Sequence, residues 1–461
     1  MFVPRLEKSI GIEVYATSSL GVGGVIRQRV EDFIVREILV DGSKARTTLS
    51  ERNAEQGALG SSGVKNRYLL CALVKRNWDT FLALKAVAKQ LDISTKRIQI
   101  AGIKDAKALT AQHITVEDVS AEEIQRAQAR DIKIYPIGYF RSKLSSYYLL
   151  GNHFHITIRA ISHSESKIKE RIRKTIEELN TIRGTPNFFG HQRFGTTRPI
   201  THLVGKAIVQ ENLDKAAMLY LAKPSLHEHP ESRWAREQLQ KTRDFKQGLK
   251  NFPKQLHYER LMLNHLAKKP DDFANAFRKL PTKLRRLFPQ ACQAYLFNKF
   301  LSKRIEKGLP LNTAEVGDYV VNVERSGLPM LRMRRKASAK TVTEVNKAIQ
   351  AGKMKLAMPL IGFKQHPSQG LQGEIEKQIL QEEDIGMENF KIKGLPEISL
   401  RGELRTATVP LNNFLIEEIS EDQVNPSKHK AEVSFTLYRG SYATIVLREL
   451  MKPRNLIKAR F

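Results

Sequence analysis

Apolar residues recur along this chain at two spacings, and the change of spacing divides it. From Gly21 to about Val40 a glycine-rich turn leads into a run in which Val30, Phe33, Val35 and Ile38 roughly alternate, the period of a strand. "RYLLCALVKR" is a short, continuously apolar strand, and "NWDTFLALKAVAKQLDIS" is a helix with Phe81, Leu84, Ala88 and Leu91 on one face and Asp79 as its cap. "RIQIAGIKD" returns to a strand, and "LLGNHFHITIRAI" is another, with Phe154, Ile156 and Ile158 on one side. "ESKIKERIRKTIEELNTIRG" is an amphipathic helix with Gly184 as its expected C-cap. Residues 41–66 have the Gly/Ser/charge mixture of a loop.

The alternation of strand and helix stops near residue 205. From Lys206 to about Lys307 the helical spacing dominates, a mixed region follows to roughly Gly402, and strand character returns after Leu404. A β-rich beginning and end around a helical middle predicts an insertion in a split core. The expected parts are 1–205 and 405–461 as the two pieces of the core and 206–404 as the insert. The fold class this implies is α+β.

Charge narrows the partners. Lys and Arg number 77 against 48 Asp and Glu, a net charge of +29 spread along 461 residues. Keeping a domain dispersed takes only a few charges, so a polyanionic partner is the expectation. The stretch "LRMRRKASAKTVTEVNKAIQAGKMKL" is the extreme case, with Glu344 as its only acid. No apolar run approaches the roughly 20 residues of a membrane span. Arg5, Glu7 and Lys8 interrupt the start where a signal peptide would be apolar, so the expected location is the cytoplasm. The two cysteines, Cys71 and Cys292, stand alone in apolar surroundings and read as buried thiols. No Pro-Cys-x-x-Cys is present, which excludes a zinc nucleobase deaminase, and His153 and His155 lack a third ligand, so no metal is expected.

Three stretches set polar, aromatic and glycine residues at turns between apolar elements. In "AGIKDAKALTAQ", Lys104 and Lys107 flank Asp105, and neighbouring cations favour the carboxylate that acts as nucleophile or base. The same spacing also fits a turn or N-cap aspartate. "GTPNFFGHQRFGTTRP" offers Phe188, Phe189 and Phe194 among Asn187, Arg193 and Arg198, either a platform for unstacked bases or a tightly packed turn. It lacks the Gly-Lys-Ser/Thr of a phosphate-binding loop. "LYRGSYATIVLREL" puts Tyr442 at a strand-to-helix corner. Two motifs find no use in this scheme. "GVGGV" lacks the spacing of a dinucleotide fingerprint, and the tail "KPRNLIKARF" reads as phosphate-touching or merely solvated.

In this order the three stretches resemble the TruD family of tRNA pseudouridine synthases. "GIKDAKALTAQ", "PNFFGHQRFG" and "GSYATIVLREL" match the family's three long motifs, and "EDFIVREI" and "LLGNHFHITIR" are also similar to family segments. The resemblance implies a split pseudouridine-synthase core of mixed antiparallel sheet with a mostly helical inserted domain. It carries the catalytic aspartate onto Asp105 and the uridine-pocket residues onto Phe33, Asn187, Phe189 and Tyr442. By a looser match, the basic residue near the aspartate falls on Arg27. It implies tRNA as partner, other structured RNAs as further candidates, uridine 13 in the D-arm as target, and no cofactor, membrane or obligate protein partner.

Tyr147 stands where many members have Gly, and the 41–66 loop and the 206–404 insert imply altered RNA contacts. The competing reading is a non-catalytic RNA-binding or RNA-folding protein on the same scaffold. An RNA methyltransferase would need a cofactor loop that the sequence does not offer.

Overall fold

The computed structural model describes residues 1–47, 58–127, 129–195 and 197–461, so the middle of the 41–66 stretch lies outside the described residues. The chain forms two compact units, one of residues 17–185, 325–328 and 409–461, the other of residues 1–16, 186–324 and 329–408.

Its strands of three or more residues, in chain order, are β1 (Phe33–Leu39), β2 (Tyr68–Arg76), β3 (Ile98–Ile100), β4 (Leu109–Glu117), β5 (Ile132–Phe140) and β6 (Leu149–Ile161). After the helical stretch come β7 (Tyr319–Val323), β8 (Pro329–Lys336), β9 (Met354–Leu360) and β10 (Glu403–Thr406), then β11 (Asn412–Glu421) and β12 (His429–Tyr438).

The first unit holds one mixed sheet in the order β11-β12-β6-β1-β4-β2-β5, with β3 added on β4. Every neighbour pair is antiparallel except β1 with β4. That single parallel pair matters for the site, because it brings the entries of two strands to the same end of the sheet. Ile34 is opposite Leu109, so the turn before β4 and the turn before β1 are neighbours. Two apolar cores lie side by side on one face of the sheet, since Val35 faces the side of β4 that carries Thr110 and Ile114. Phe33, Val35, Phe154, Ile156 and Ile158 pack with Ile168 and Ile172 of the helix Glu165–Thr181 and with Val446, Leu447 and Leu450 of the helix Ala443–Met451. Leu69, Cys71, Leu73 and Ile114 pack with Ala83, Leu84 and Val87 of the helix Thr80–Gln90.

Two local expectations are corrected. The buried face of Thr80–Gln90 is Thr80, Ala83, Leu84, Val87 and Ala88, which leaves Phe81 at the rim and 53% exposed. Asp79 does cap this helix, accepting from the Phe81 and Leu82 N–H groups. At the end of Glu165–Thr181 the left-handed residue is Arg183 (φ 61°) rather than a capping glycine. Gly184 is needed for a different reason: a Cβ there would lie 2.0 Å from the Val409 carbonyl oxygen. His153 and His155 are held by Thr436 and Glu432 across the β6–β12 pair. Both cysteines are buried, as their neighbours implied, and burial pushes the Cys292 thiol up to about 12.

The second unit carries the predicted helical run, from Thr201–Val209 to the 25-residue helix Thr282–Glu306, around a core that includes Val204, Leu221, Leu263, Phe277 and Phe288. It also holds a four-stranded antiparallel sheet in the order β10-β9-β7-β8. The basic stretch that begins at Leu331 starts on edge strand β8, where Arg332, Arg334 and Arg335 are exposed. Charges on an edge strand block its pairing with other chains, so this placement has a structural cause as well.

Candidate active site

Asp105 lies in the turn 101–108 between β3 and β4, and the turn is fixed at successive backbone positions. Gln112 Nε2 donates to the Gly102 carbonyl at 3.2 Å. The Thr80 hydroxyl accepts from the Lys104 N–H at 3.1 Å and donates to the Lys104 carbonyl at 3.2 Å. Lys75 Nζ, at the end of β2, donates to the Asp105 carbonyl at 2.6 Å and to the Trp78 carbonyl at 2.8 Å. Each of these bonds is to main chain of residues 102, 104 and 105.

The charged groups beneath the loop are buried. Lys104 Nζ reaches Glu37 on β1 at 2.6 Å, with side chains 3% and 0% exposed. Burial alone would raise the Glu37 carboxyl, but Lys104, with His113 behind it, outweighs that and holds it below the ordinary carboxylate range. Glu37 also accepts from the His113 backbone N–H at 3.0 Å, which ties β1 to β4. Burial pushes the Lys75 ammonium down to about 8, against the opposing pull of Asp105 and Asp79.

Arg27 supplies the charge that faces Asp105. Its guanidinium stands 3.6 Å from Asp105 Oδ1 and lies over the Phe33 ring at 3.9 Å from the centroid. Burial lowers the Arg27 pKa, and the Asp105 charge opposes that shift. Its backbone is left-handed (φ 55°), an unfavourable conformation for a residue with a Cβ. The parallel β1–β4 pair explains the meeting, since Arg27 precedes β1 as Asp105 precedes β4. Phe33 is buried under Arg27, with Phe154 edge-on at 6.2 Å, so in this arrangement it touches the arginine. Asp32 is anchored by Arg159, which also bonds Asp422, and that fixes the start of β1.

Asn187 and Phe189 belong to the other unit. The Asn187 amide donates to the carbonyl and the hydroxyl of Thr406, both at 3.0 Å, which commits its two hydrogens. Arg405 donates to the Asn187 backbone oxygen at 2.8 Å and to Oδ1 at 2.5 Å, and covers the Phe189 ring at 4.0 Å. Phe189 meets Phe297 edge-on, and its backbone is bracketed by the Asn298 side chain. Phe188, Phe189 and Phe194 are all buried in a packed turn. Tyr442 is the residue before the helix Ala443–Met451, and its carbonyl accepts from the Ile445 N–H at 3.0 Å. It follows the end of β12 that pairs Tyr438 with Gly151, five residues along β6 from Ile156, the partner of Phe33.

The structure thus joins Asp105, Arg27 and Phe33 in one cluster and joins Asn187 and Phe189 through Arg405. Lys75, Glu37 and Arg405 were missed by sequence reasoning. The signal for Glu37 and Lys75 was a charge inside an otherwise apolar strand, "FIVREIL" and "YLLCALVKR".

The Arg27 geometry yields an expected result. Arg27→Ala and Arg27→Gly should both lower kcat by about 10²-fold, since each removes the cation facing the carboxylate. The glycine variant should be the more stable by about 1 kcal/mol, because it alone relieves the left-handed backbone. Thermal melts and single-turnover rates of the pair check both statements, and equal stabilities would show that φ stores no strain.

The family model for tRNA pseudouridine synthase D (TruD) matches residues 9–450. A Methanosarcina barkeri protein named probable tRNA pseudouridine synthase D is 43% identical over 452 residues, covering 98% of each chain. A Pyrococcus abyssi protein of the same name is 35% identical over 95% of this chain and 98% of its own. A crystal structure from Methanosarcina mazei, described as a tRNA pseudouridine synthase D, superposes with a TM-score of 0.84 at 41% identity, covering 98% of this chain and 99% of that one.

Proposed function

The chain belongs to the TruD family of tRNA pseudouridine synthases, isomerases that turn a uridine of tRNA into pseudouridine, and from that premise we propose that Asp105 opens the glycosidic bond. In the reaction the C1′–N1 bond breaks, the uracil rotates and C1′ bonds to C5. The C5 proton leaves and N1 ends as N–H. Electrons balance without an oxidant or reductant, so the chemistry asks for a carboxylate and a shaped site. The observation that supports Asp105 is its carboxylate beside the half-buried Arg27, on a loop whose backbone Gln112, Thr80 and Lys75 hold.

Two routes suit a single carboxylate: attack at C1′, or proton removal at C2′. Arg27 acts as a positioning residue that aims the carboxylate. Phe33, Asn187, Phe189 and Tyr442 are proposed uridine contacts by their match to the family motifs. The proposed target is uridine 13 in the D-arm. Unstacking that base costs a few kcal/mol, and aromatic stacking offsets part of it. The net charge of +29 gives phosphate binding that weakens steeply with salt.

The test is to incubate unmodified tRNA with the purified protein and no added cofactor, then map pseudouridine at single-nucleotide resolution. One modified site, at position 13, is the expected result. A different position would overturn the target, and no modification in any tRNA would overturn the catalytic reading in favour of plain RNA binding.

A further inference from the structure

The two motifs left without a use in the sequence, the glycine run at 21–24 and the basic tail that starts at Lys452, form opposite walls of one pocket of about 450 Å³. Both walls belong to the unit that carries Asp105. The Val22 N–H donates to the Leu450 carbonyl and the Gly23 N–H to the Met451 carbonyl, and the Ile26 N–H reaches the Ala459 carbonyl at 3.1 Å. The pocket is therefore built by backbone pairing rather than by chance proximity of side chains.

Its lining is cationic. His163, Arg171, Lys452, Arg454 and Lys458 line it, and no aspartate or glutamate does. Two of these are committed to the wall: Lys452 Nζ donates to the carbonyls of Thr17 and Ser19, and Arg171 bridges the Gly21 carbonyl at 2.6 Å and the His163 ring at 2.7 Å. Arg454 and Lys458 are exposed and form no salt bridge among the described residues. Gly23 (φ 71°) faces open space, where even a Cβ would meet nothing within 4 Å. Several cations beside an open glycine turn make a concavity that suits an anion. Gathered positive charge with no acid in the lining is repulsive until an anion enters.

Both walls run on to the Asp105 cluster. Three residues beyond Gly24 is Arg27, and immediately beyond the Ala459 wall is Arg460. Arg460 donates to the Arg27 carbonyl at 3.2 Å, and Arg27 donates back to the Arg460 carbonyl at 3.5 Å. An anion in the pocket would thus be bound by the same two segments that hold the arginine facing Asp105.

We propose that this pocket is a phosphate site that seats a backbone phosphate of the bound RNA near the nucleotide being isomerised. The proposal rests on the tRNA-modifying reading of the chain. Arg454 and Lys458 contact the phosphodiester, and the glycine turn lets the backbone approach it.

The double variant Arg454→Gln/Lys458→Gln tests it by equilibrium tRNA binding across a salt titration. We expect Kd to rise about tenfold near physiological salt and the slope of log Kd against log salt to fall by about one to two. In the same preparation of unmodified protein, inorganic phosphate should give no saturable rise in Tm. A saturable rise that the variant abolishes would mean a free phosphate ligand and overturn the assignment to RNA. A slope and Kd unchanged within twofold would overturn the site altogether, and Arg454→Glu/Lys458→Glu repeats the measurement with charge reversed. Wild-type turnover with an unchanged slope refutes the pocket alone, whereas a wild type that modifies no tRNA refutes the enzyme reading.

Discussion

Asp105→Asn is expected to slow pseudouridine formation by about 10³-fold or more while leaving tRNA affinity within about twofold. The substitution keeps the shape, removes the charge and turns one acceptor oxygen into an amide NH2 donor. It spares the loop, because Gln112, Thr80 and Lys75 hold main-chain atoms of residues 102, 104 and 105. The substitution also weakens the pairing with Arg27, at 3.6 Å. Circular dichroism and melting should therefore match the wild type. Single-turnover kinetics give the rate, and filter binding gives the affinity. Residual activity within tenfold of wild type would sink the assignment of Asp105. A C2′-deuterated uridine then separates the two routes, since only proton removal at C2′ gives a primary isotope effect.

Much of this was legible in the sequence, for physical reasons that differ by element. The strands β1, β2 and β6 and the helix Glu165–Thr181 follow from local pattern, alternating in β1 and β6, continuously apolar in β2 and of helical period in the helix. The meeting of Arg27 with Asp105 was not legible. It depends on β1 and β4 lying parallel, a long-range pairing that no local spacing encodes. The resemblance suggested Arg27 by a loose match, and the sheet order supplies its geometric reason. The sequence left open whether Phe188, Phe189 and Phe194 pack as a turn; Phe297, Arg405 and Asn298, all distant in sequence, are what cover Phe189 and its backbone. Phe81 shows the same limit on a smaller scale, since apolar spacing marks a stripe and the partner decides which edge of it is covered.

Lys104 is the residue beside Asp105 that sequence pattern treats as a mere flank, and the structure turns it into the loop's buried anchor. Its ammonium and the Glu37 carboxylate, 2.6 Å apart and almost wholly enclosed, stand or fall together. Lys104→Met leaves the Glu37 charge in the core with only His113 beside it, and Glu37→Gln leaves the ammonium equally exposed to a low-dielectric surrounding. Each single variant is expected to destabilise its unit by about 3–5 kcal/mol. The double variant Glu37→Gln/Lys104→Met removes both charges and should recover most of that loss.

Activity separates anchoring from mere stability. If the pair positions Asp105, the double variant melts near wild type yet stays about 10²-fold slower in kcat, because a carboxylate displaced by an ångström forfeits that much. Its tRNA affinity should hardly change, which places the loss in the chemical step. The measurement is a double-mutant cycle run twice, once on Tm and once on kcat. A kcat that recovers in step with Tm would show that Glu37 and Lys104 hold the fold and leave the aim of Asp105 to its main-chain contacts.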